Sequence, residues 1–342
     1  MTPNATTNIV RQTSQLRERV EVFLGTKRAR SKNAGEKSSG YLFDQNGDWA
    51  GYDVLSERSH VGHFRDPTRP IQTAVHEIIE KIDNEGWGAY LVGGTLRDLM
   101  LAPRGAGVLG VFPRDIDIVV LGTTLPELER CFTGMIRRRT RFGGLHLVKE
   151  VAGVCEVDFD IWPLEETWAF KAYHEKPDIS IFPRYPFLNM DAIAMDLLPR
   201  DKVRQIFDQD EDGNHVFFRG LSDQTIDINF EPNPYPDVCA VRGLIIAAKL
   251  GFGIGVRLAR FICERARMST LDSFLRAQES HYGQVRSEAR ELQSWIDSIK
   301  RQLESGAERV VMAVPQNRQL GLWTDYPPMP IAAAEADQVA IV

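Results

Sequence analysis

The chain has 342 residues, 43% of them apolar and 26% charged, with a net charge of −6. That is an ordinary globular composition, long enough for more than one domain. It excludes a uniformly basic nucleic-acid binder, so any phosphate contact must come from local patches. No apolar run reaches membrane-spanning length, and the polar start, Met1 to Arg11, carries no signal-peptide core, so a cytoplasmic protein without membrane contact is expected. Cys131, Cys155, Cys239 and Cys263 match neither a metal-ligand nor a disulfide spacing and read as reduced packing thiols.

In chain order, a short amphipathic helix is expected around Leu16 to Leu24. Residues 25–40 form a basic loop read as a solvated linker rather than a phosphate contact. A hairpin follows around Asn46-Gly47. His60 and His63 lack metal-binding partners and read as surface loop. Ile71, Val75, Ile78, Ile79 and Ile82 recur at helical spacing. A strand over 88–93 runs into a helix over 95–101. A Gly-rich loop over 103–113 lacks the Gly-Lys-Ser/Thr ending of a P-loop. A strand over 115–121, a helix over 125–137 and two strands, 145–150 and 156–162, come next. Residues 187–198 read as a helix or strand–helix unit. From Asp237 the pattern is helical: 241–250, 256–266 and 269–303, with an extended tail at the end.

The informative stretch is 90–120. An apolar strand reaches Gly93-Gly94, a helix opens with Arg97-Asp98, and Asp115 and Asp117 sit two apart on the next strand. Residues i and i+2 of a strand share a face, so these carboxylates project together and call for a cation between them. A hard divalent ion suits such a pair. Gly93 and Gly94 let backbone N–H groups approach an anion at a helix N-terminus. The pieces describe a metal–nucleotide site. Glu156, Asp158 and Asp160 share a face of a later strand, and antiparallel pairing with 115–121 is expected to bring one of them to the aspartate pair. His146 reads as a packing residue. Arg137-Arg138-Arg139-Thr140-Arg141 has two open readings, a solvated face or a binding patch for an incoming strand or triphosphate. Trp162 and Trp168 read as core aromatics.

Leu91-Val92-Gly93-Gly94-Thr95-Leu96-Arg97-Asp98 followed by Asp115-Ile116-Asp117 resembles the head of the class II CCA-adding enzyme and bacterial poly(A) polymerase family, within the polymerase-β-like nucleotidyltransferases. Arg141-Phe142-Gly143-Gly144-Leu145-His146-Leu147, Phe159-Asp160-Ile161, Asp191-Ala192-Ile193-Ala194-Met195-Asp196 and the segment Arg242 to Phe252 extend the likeness over roughly 74–268. The resemblance implies an α+β fold: a nucleotidyltransferase head with a small mixed or antiparallel sheet flanked by helices, then a helical neck and a shortened body. The expected divisions are an extension over 1–70, the head over 71–200, neck and body over 201–310 and a tail over 311–342.

The implied activity is template-independent, metal-dependent transfer of a nucleoside monophosphate from an NTP, ATP foremost, to the 3′ end of RNA. Asp115, Asp117 and Asp160 are the implied catalytic residues and metal ligands, with Asp158 in reserve for Asp160. Mg²⁺ is the implied metal, with Mn²⁺ as a substitute, and Gly93, Gly94, Arg97, Asp98 and Arg242 are the implied nucleotide-binding residues. Two departures bear on the substrate. The family's Arg-Arg-Asp triplet is replaced by Pro183-Arg184-Tyr185-Pro186-Phe187, and its base-selecting neck arginine falls on Cys239. Oligonucleotide-signal synthesis and nucleotidylation of a protein partner therefore stay open, as does a non-catalytic nucleotide- or RNA-binding module.

Overall fold

The computed structural model describes residues 3–24, 41–43, 49–52, 68–101, 115–151, 155–200 and 203–312. The 25–40 loop, the Asn46-Gly47 turn, His60, His63, the 103–113 loop and residues 313–342 lie outside them. Strands β1 (Tyr41–Phe43) and β2 (Trp49–Tyr52) pair antiparallel, as the hairpin reading expects. Among the described residues no helix is long and apolar enough to cross a membrane.

The fold is mixed α+β, built on a seven-stranded mixed sheet. Its strands are β3 (Gly88–Val92), β4 (Asp115–Leu121), β5 (Ile136–Arg139), β6 (Leu145–Val151), β7 (Cys155–Pro163), β8 (Ala194–Asp196) and β9 (Ile206–Phe207), in the spatial order β5-β6-β7-β4-β3-β8-β9. Neighbours pair antiparallel except β4 and β7, which run parallel. The expected antiparallel pairing of the two acidic strands is thus corrected. The chain turns back twice between them, through β5 and β6, and so re-enters beside β4 in the same direction.

Alternation sorts the faces. Ile116, Ile118 and Val120 of β4, with Val157, Phe159 and Ile161 of β7, enter the main core. Val119 and Val92 point the other way, into a smaller cluster with Leu164, Phe170, Ile179 and Phe182. Asp115, Asp117, Asp158 and Asp160 lie on this second face, beyond the apolar cover.

Helices α1 (Pro3–Phe23), α2 (Thr68–Asn84), α3 (Gly93–Leu101), α4 (Leu125–Cys131), α5 (Trp168–Tyr173) and α6 (Val216–Asp223) accompany the sheet. Helix α4 stops at Cys131, and β5 begins at Ile136, where the sequence reading continued one helix to 137. Residues 187–198 form a 3-10 turn, Asn189–Asp191, and then β8, with no α-helix. Helices α7 (Pro236–Leu250), α8 (Val256–Met268), α9 (Leu271–Tyr282) and α10 (Ala289–Glu304) make the helical part. A small sheet of β10 (Thr225–Ile226), β11 (Gly253–Gly255) and β12 (Arg309–Val310) joins it.

Helix α1 belongs to the main core. Leu16, Val20, Phe23 and Leu24 are buried there. Arg17 Nε donates to Arg204 O at 3.0 Å, Arg19 Nη1 to Leu99 O at 2.7 Å, and Arg204 Nε to Glu21 Oε1 at 2.7 Å. Replacing Leu16 by Ala removes fully buried apolar volume and is expected to cost about 2–5 kcal/mol. Urea unfolding measures it, and a midpoint unchanged from wild type would detach α1 from the core.

Candidate active site

The site starts at the junction of β3 and α3. Gly93 takes φ +56°, a left-handed value that lets the strand turn directly into the helix. Its N–H donates to Ile193 O at 3.1 Å, so this glycine's donor is already used inside the protein. Thr95, buried in the first turn of α3, receives the N–H of Asp117 at 2.8 Å and donates to Asp115 O at 3.2 Å. One hydroxyl therefore ties the helix N-terminus to the strand that carries the acids. Sequence reading did not single out Thr95. Its signal was its position directly after the glycine pair.

Parallel pairing aligns Asp115 with Asp158 and Asp117 with Asp160. Four carboxylates thus meet on one face of two adjacent strands. Burial, then Asp160, then Asp115 push the Asp117 carboxyl well above the usual carboxylate range, and Arg242 offsets only part of this. Asp160, the expected third acid, is the strongest charged influence on Asp117, so the expected trio is brought together.

His146 of β6 stands opposite Asp160. Its Nδ1 lies 2.8 Å from Asp160 Oδ1 and its Nε2 lies 3.2 Å from Asp158 Oδ1. These two contacts raise the imidazole to about 9 against the opposing effect of burial. At neutral pH the ring is therefore a cation in the carboxylate row. The packing reading of His146 is corrected: its alternation places it on the acid face. Gly144 lets β6 lie this close, since a Cβ there would sit 2.8 Å from Trp162 Cβ and 2.9 Å from Ile161 O.

Behind the acids runs a chain of alternating charges. Lys249 Nζ donates to Asp98 Oδ2 at 3.0 Å, and Arg97 Nε donates to Asp98 Oδ1 at 2.9 Å. Arg97 Nη1 and Arg242 Nη2 each donate to Asp191, at 2.5 Å. Burial disfavours the charge on Asp98, but Arg97 and Lys249 outweigh it and hold its carboxyl below the usual range. Arg97 and Arg242 are held charged in the same way by the carboxylates beside them, against burial. Three cations face two carboxylates in this chain, which leaves one positive charge in excess beside the acids. Asp98 meets the helical part through Lys249, and the charge of Arg242, held at Asp191, is felt at Asp117. Sequence reading did not connect Asp191 and Lys249 to these residues.

Cys239 is buried one turn before Arg242, and burial pushes its thiol up to about 12. It is neither a nucleophile nor a strong hydrogen-bond donor at that place.

Among the described residues no group of three or more His, Cys, Asp or Glu stands as a finished metal cage. His146 occupies oxygens of Asp158 and Asp160 instead. The donor chemistry nevertheless fits a hard divalent cation: carboxylate oxygens on one face, with Asp117 pushed toward its neutral form by burial and then by like charges.

No protein-family model matches the chain, and no curated protein matches it. Solved structures do. A tRNA-processing enzyme in an apo form is 17% identical, with 69% of this chain and 58% of that one covered and a TM-score of 0.44. A CCA-adding enzyme with CTP gives 19%, 69%, 52% and 0.45. A Thermotoga maritima CCA-adding enzyme complexed with tRNA gives 18%, 69%, 52% and 0.43. The chain spans 52–58% of the length of these structures. The likeness is partial, and the chemistry of the site follows from its residues.

The raised Asp117 carboxyl sets a pH dependence. The fold binds that proton more tightly than the unfolded chain does, so metal-free stability falls as pH rises from about 3.9 through the raised value. Asp117→Asn is expected to melt above wild type at neutral pH, with a flatter pH slope. Mg²⁺ is expected to raise the wild-type melting temperature and to have little effect on Asp117→Asn. Equal metal shifts in both proteins would sink the cation reading. Lys249→Ala leaves Asp98 half-paired and is expected to cost about 3–5 kcal/mol in denaturant unfolding. A loss below about 1 kcal/mol would mean the buried chain of charges is not cooperative.

Proposed function

We propose that the protein is a template-independent nucleotidyltransferase. It transfers a nucleoside monophosphate from an NTP, ATP foremost, to a hydroxyl at the 3′ end of RNA, with release of pyrophosphate. The observation that carries this reading is the in-register pairing that sets Asp117 beside Asp160, with Asp115 on the same face and Thr95 joining them to the α3 N-terminus. A membrane or structural role gives no reason for like charges to crowd there. The resemblance in motifs between Leu91 and Asp117 supports the same reaction class.

In this reading Asp115, Asp117 and Asp160 would hold Mg²⁺, or Mn²⁺ in its place. Bound there, the metal would supply charge neutralisation at the phosphates and a lowered pKa for the attacking hydroxyl. The first turn of α3, with Gly93 at its entry and Gly94 inside it, offers its dipole to the triphosphate. Arg242, with Arg97 and Asp98 behind it, supplies the excess positive charge that favours an anion. His146 orients Asp160 through its Nδ1 contact. Cys239, on which the resemblance sets the base-selecting arginine, is buried on α7 one turn before Arg242, so base choice is expected to be loose.

Nucleotidylation of a protein partner or synthesis of an oligonucleotide signal uses the same acids, and the poor donor at Cys239 favours such reactions over ordered addition of defined bases. A non-catalytic binding module does not account for the aligned acids. A cytoplasmic setting fits the free thiols of Cys131, Cys239 and Cys263.

Incubation with Mg²⁺ and each labelled NTP, with and without RNA, is expected to give RNA-dependent incorporation. Asp115→Ala and Asp117→Ala are each expected to lower it by at least about 10²-fold. Variants indistinguishable from wild type would overturn the transferase reading, and label in protein or in RNA-independent oligomers would move the acceptor.

A further inference from the structure

The carboxylate face continues past His146 to the edge of the sheet. Arg138 pairs with His146, His146 with Asp160, and Asp160 with Asp117. These four residues therefore form one rung across β5, β6, β7 and β4. The pairing shifts between Ile136 and Arg138, so β5 carries an extra residue there. Arg137 also reaches this face, where it pairs with Glu156 at 3.1 Å. Arg139 pairs with Glu129 at 2.6 Å. Arg138, exposed between them, has no carboxylate partner among the described residues.

Arg138 and Arg137, the latter shared with Glu156, make a short cationic strip on the acid face of this strand edge, while Arg139 stands opposite Leu145 and turns to the other face. Strands lie about 4.8 Å apart, so β5 runs roughly 10 Å from β7. The triphosphate end of the site is at α3, on the far side of β4. A hydroxyl aligned at Asp160 therefore arrives from the β6–β5 side, with the rest of its molecule over the strip. Beside the strip, Phe142 is exposed and meets Tyr235 edge-to-face at 5.3 Å, while Arg141 lies 5.1 Å from the Tyr235 ring centre. A basic track with aromatic rings alongside suits a single strand, whose bases are free to stack.

We infer that the β5 edge, centred on Arg138, is the phosphate track for the 3′-terminal stretch of a single-stranded nucleic-acid acceptor. This rests on the transferase reading and names its acceptor class. A protein hydroxyl brings no phosphate to Arg138.

The test is fluorescence anisotropy of a short labelled single-stranded RNA with the full chain, carrying Asp115→Ala/Asp117→Ala so that no transfer intervenes. Adding Arg138→Glu is expected to weaken binding by about tenfold at low salt. Arg138→Gln is expected to flatten the slope of log affinity against log salt by about 0.7, as for one lost phosphate contact. Arg138→Lys is expected to retain most of the affinity, and in the chain with Asp115 and Asp117 intact Arg138→Glu is expected to leave the melting shift given by Mg²⁺ and ATP unchanged. Arg138→Glu binding with unchanged affinity and slope, or no RNA binding even at low salt, overturns the inference. RNA binding that depends on Arg138 in a wild-type chain that transfers no nucleotide keeps the track and removes the transferase. Transfer to a non-nucleic acceptor at an unchanged rate in Arg138→Glu does the reverse.

Discussion

The buried chain Lys249–Asp98–Arg97–Asp191–Arg242 is the interaction on which the rest of the molecule depends. It begins and ends on α7 and passes through α3 and the turn before β8. Each ion except Arg242, which keeps part of its side chain exposed, has left water, which is unfavourable by several kcal/mol, and only its neighbours offset that loss. Such a chain tolerates little displacement. It fixes the helical part against the sheet and holds the first turn of α3, with Thr95, over Asp115 and Asp117. The glycine pair at its entry is thus positioned from behind by charge and from the side by one hydroxyl.

The face it supports is built under strain of a different kind. Asp117 is crowded by Asp160 and Asp115, and the fold accepts this because the opposite faces of the same strands are wholly apolar. Val157, Phe159 and Ile161 alternate with the acids, so each residue that secures the core also aims a carboxylate outward. Two cations moderate the crowding. Arg242 approaches from the helical part, and His146 comes from the neighbouring strand. The site is thus a balanced arrangement of charges in which a divalent cation has a ready role.

Much of this was legible in the sequence. Strand β4 carries its boundaries in the run Asp115 to Leu121, because apolar residues alternate with acids and end at a glycine. The helix period of α2 and the glycine-to-helix turn at α3 were equally plain. The direction of β7 was not, since two short returns and one long one leave the same local pattern. The end of α4 was hidden because Arg137, Arg138 and Arg139 are exposed and fit a helix surface as well as an edge strand. The motif resemblance sets Arg97 toward the nucleotide, whereas in the fold it is buried between Asp98 and Asp191. Its partner Asp191 lies 94 positions away, Lys249 lies 151 positions from Asp98, and nothing local announces either pairing. The notice given of His146 was weak, because one histidine in a strand is read from its register, and register is a property of the assembled sheet.

Register also sets where the two acids on β7 stand. Asp158 stands beside Asp115 at the start of β4, and Asp160 beside Asp117, one step further in. Of the two, it is Asp160 whose charge is felt at Asp117. A slip of one residue would turn Phe159 to the site and Asp160 into the core, which the buried charge forbids. A slip of two would keep the faces but set Asp158 beside Asp117 and carry Asp160 to Trp162's place beside Val119. The close fit of Gly144 against Trp162 and Ile161, where a Cβ would meet both, ties β7 to the turn before β6. Which acid stands beside Asp117 is therefore decided by the packing of Val157, Phe159 and Ile161 on the reverse of the sheet, not by the acids themselves.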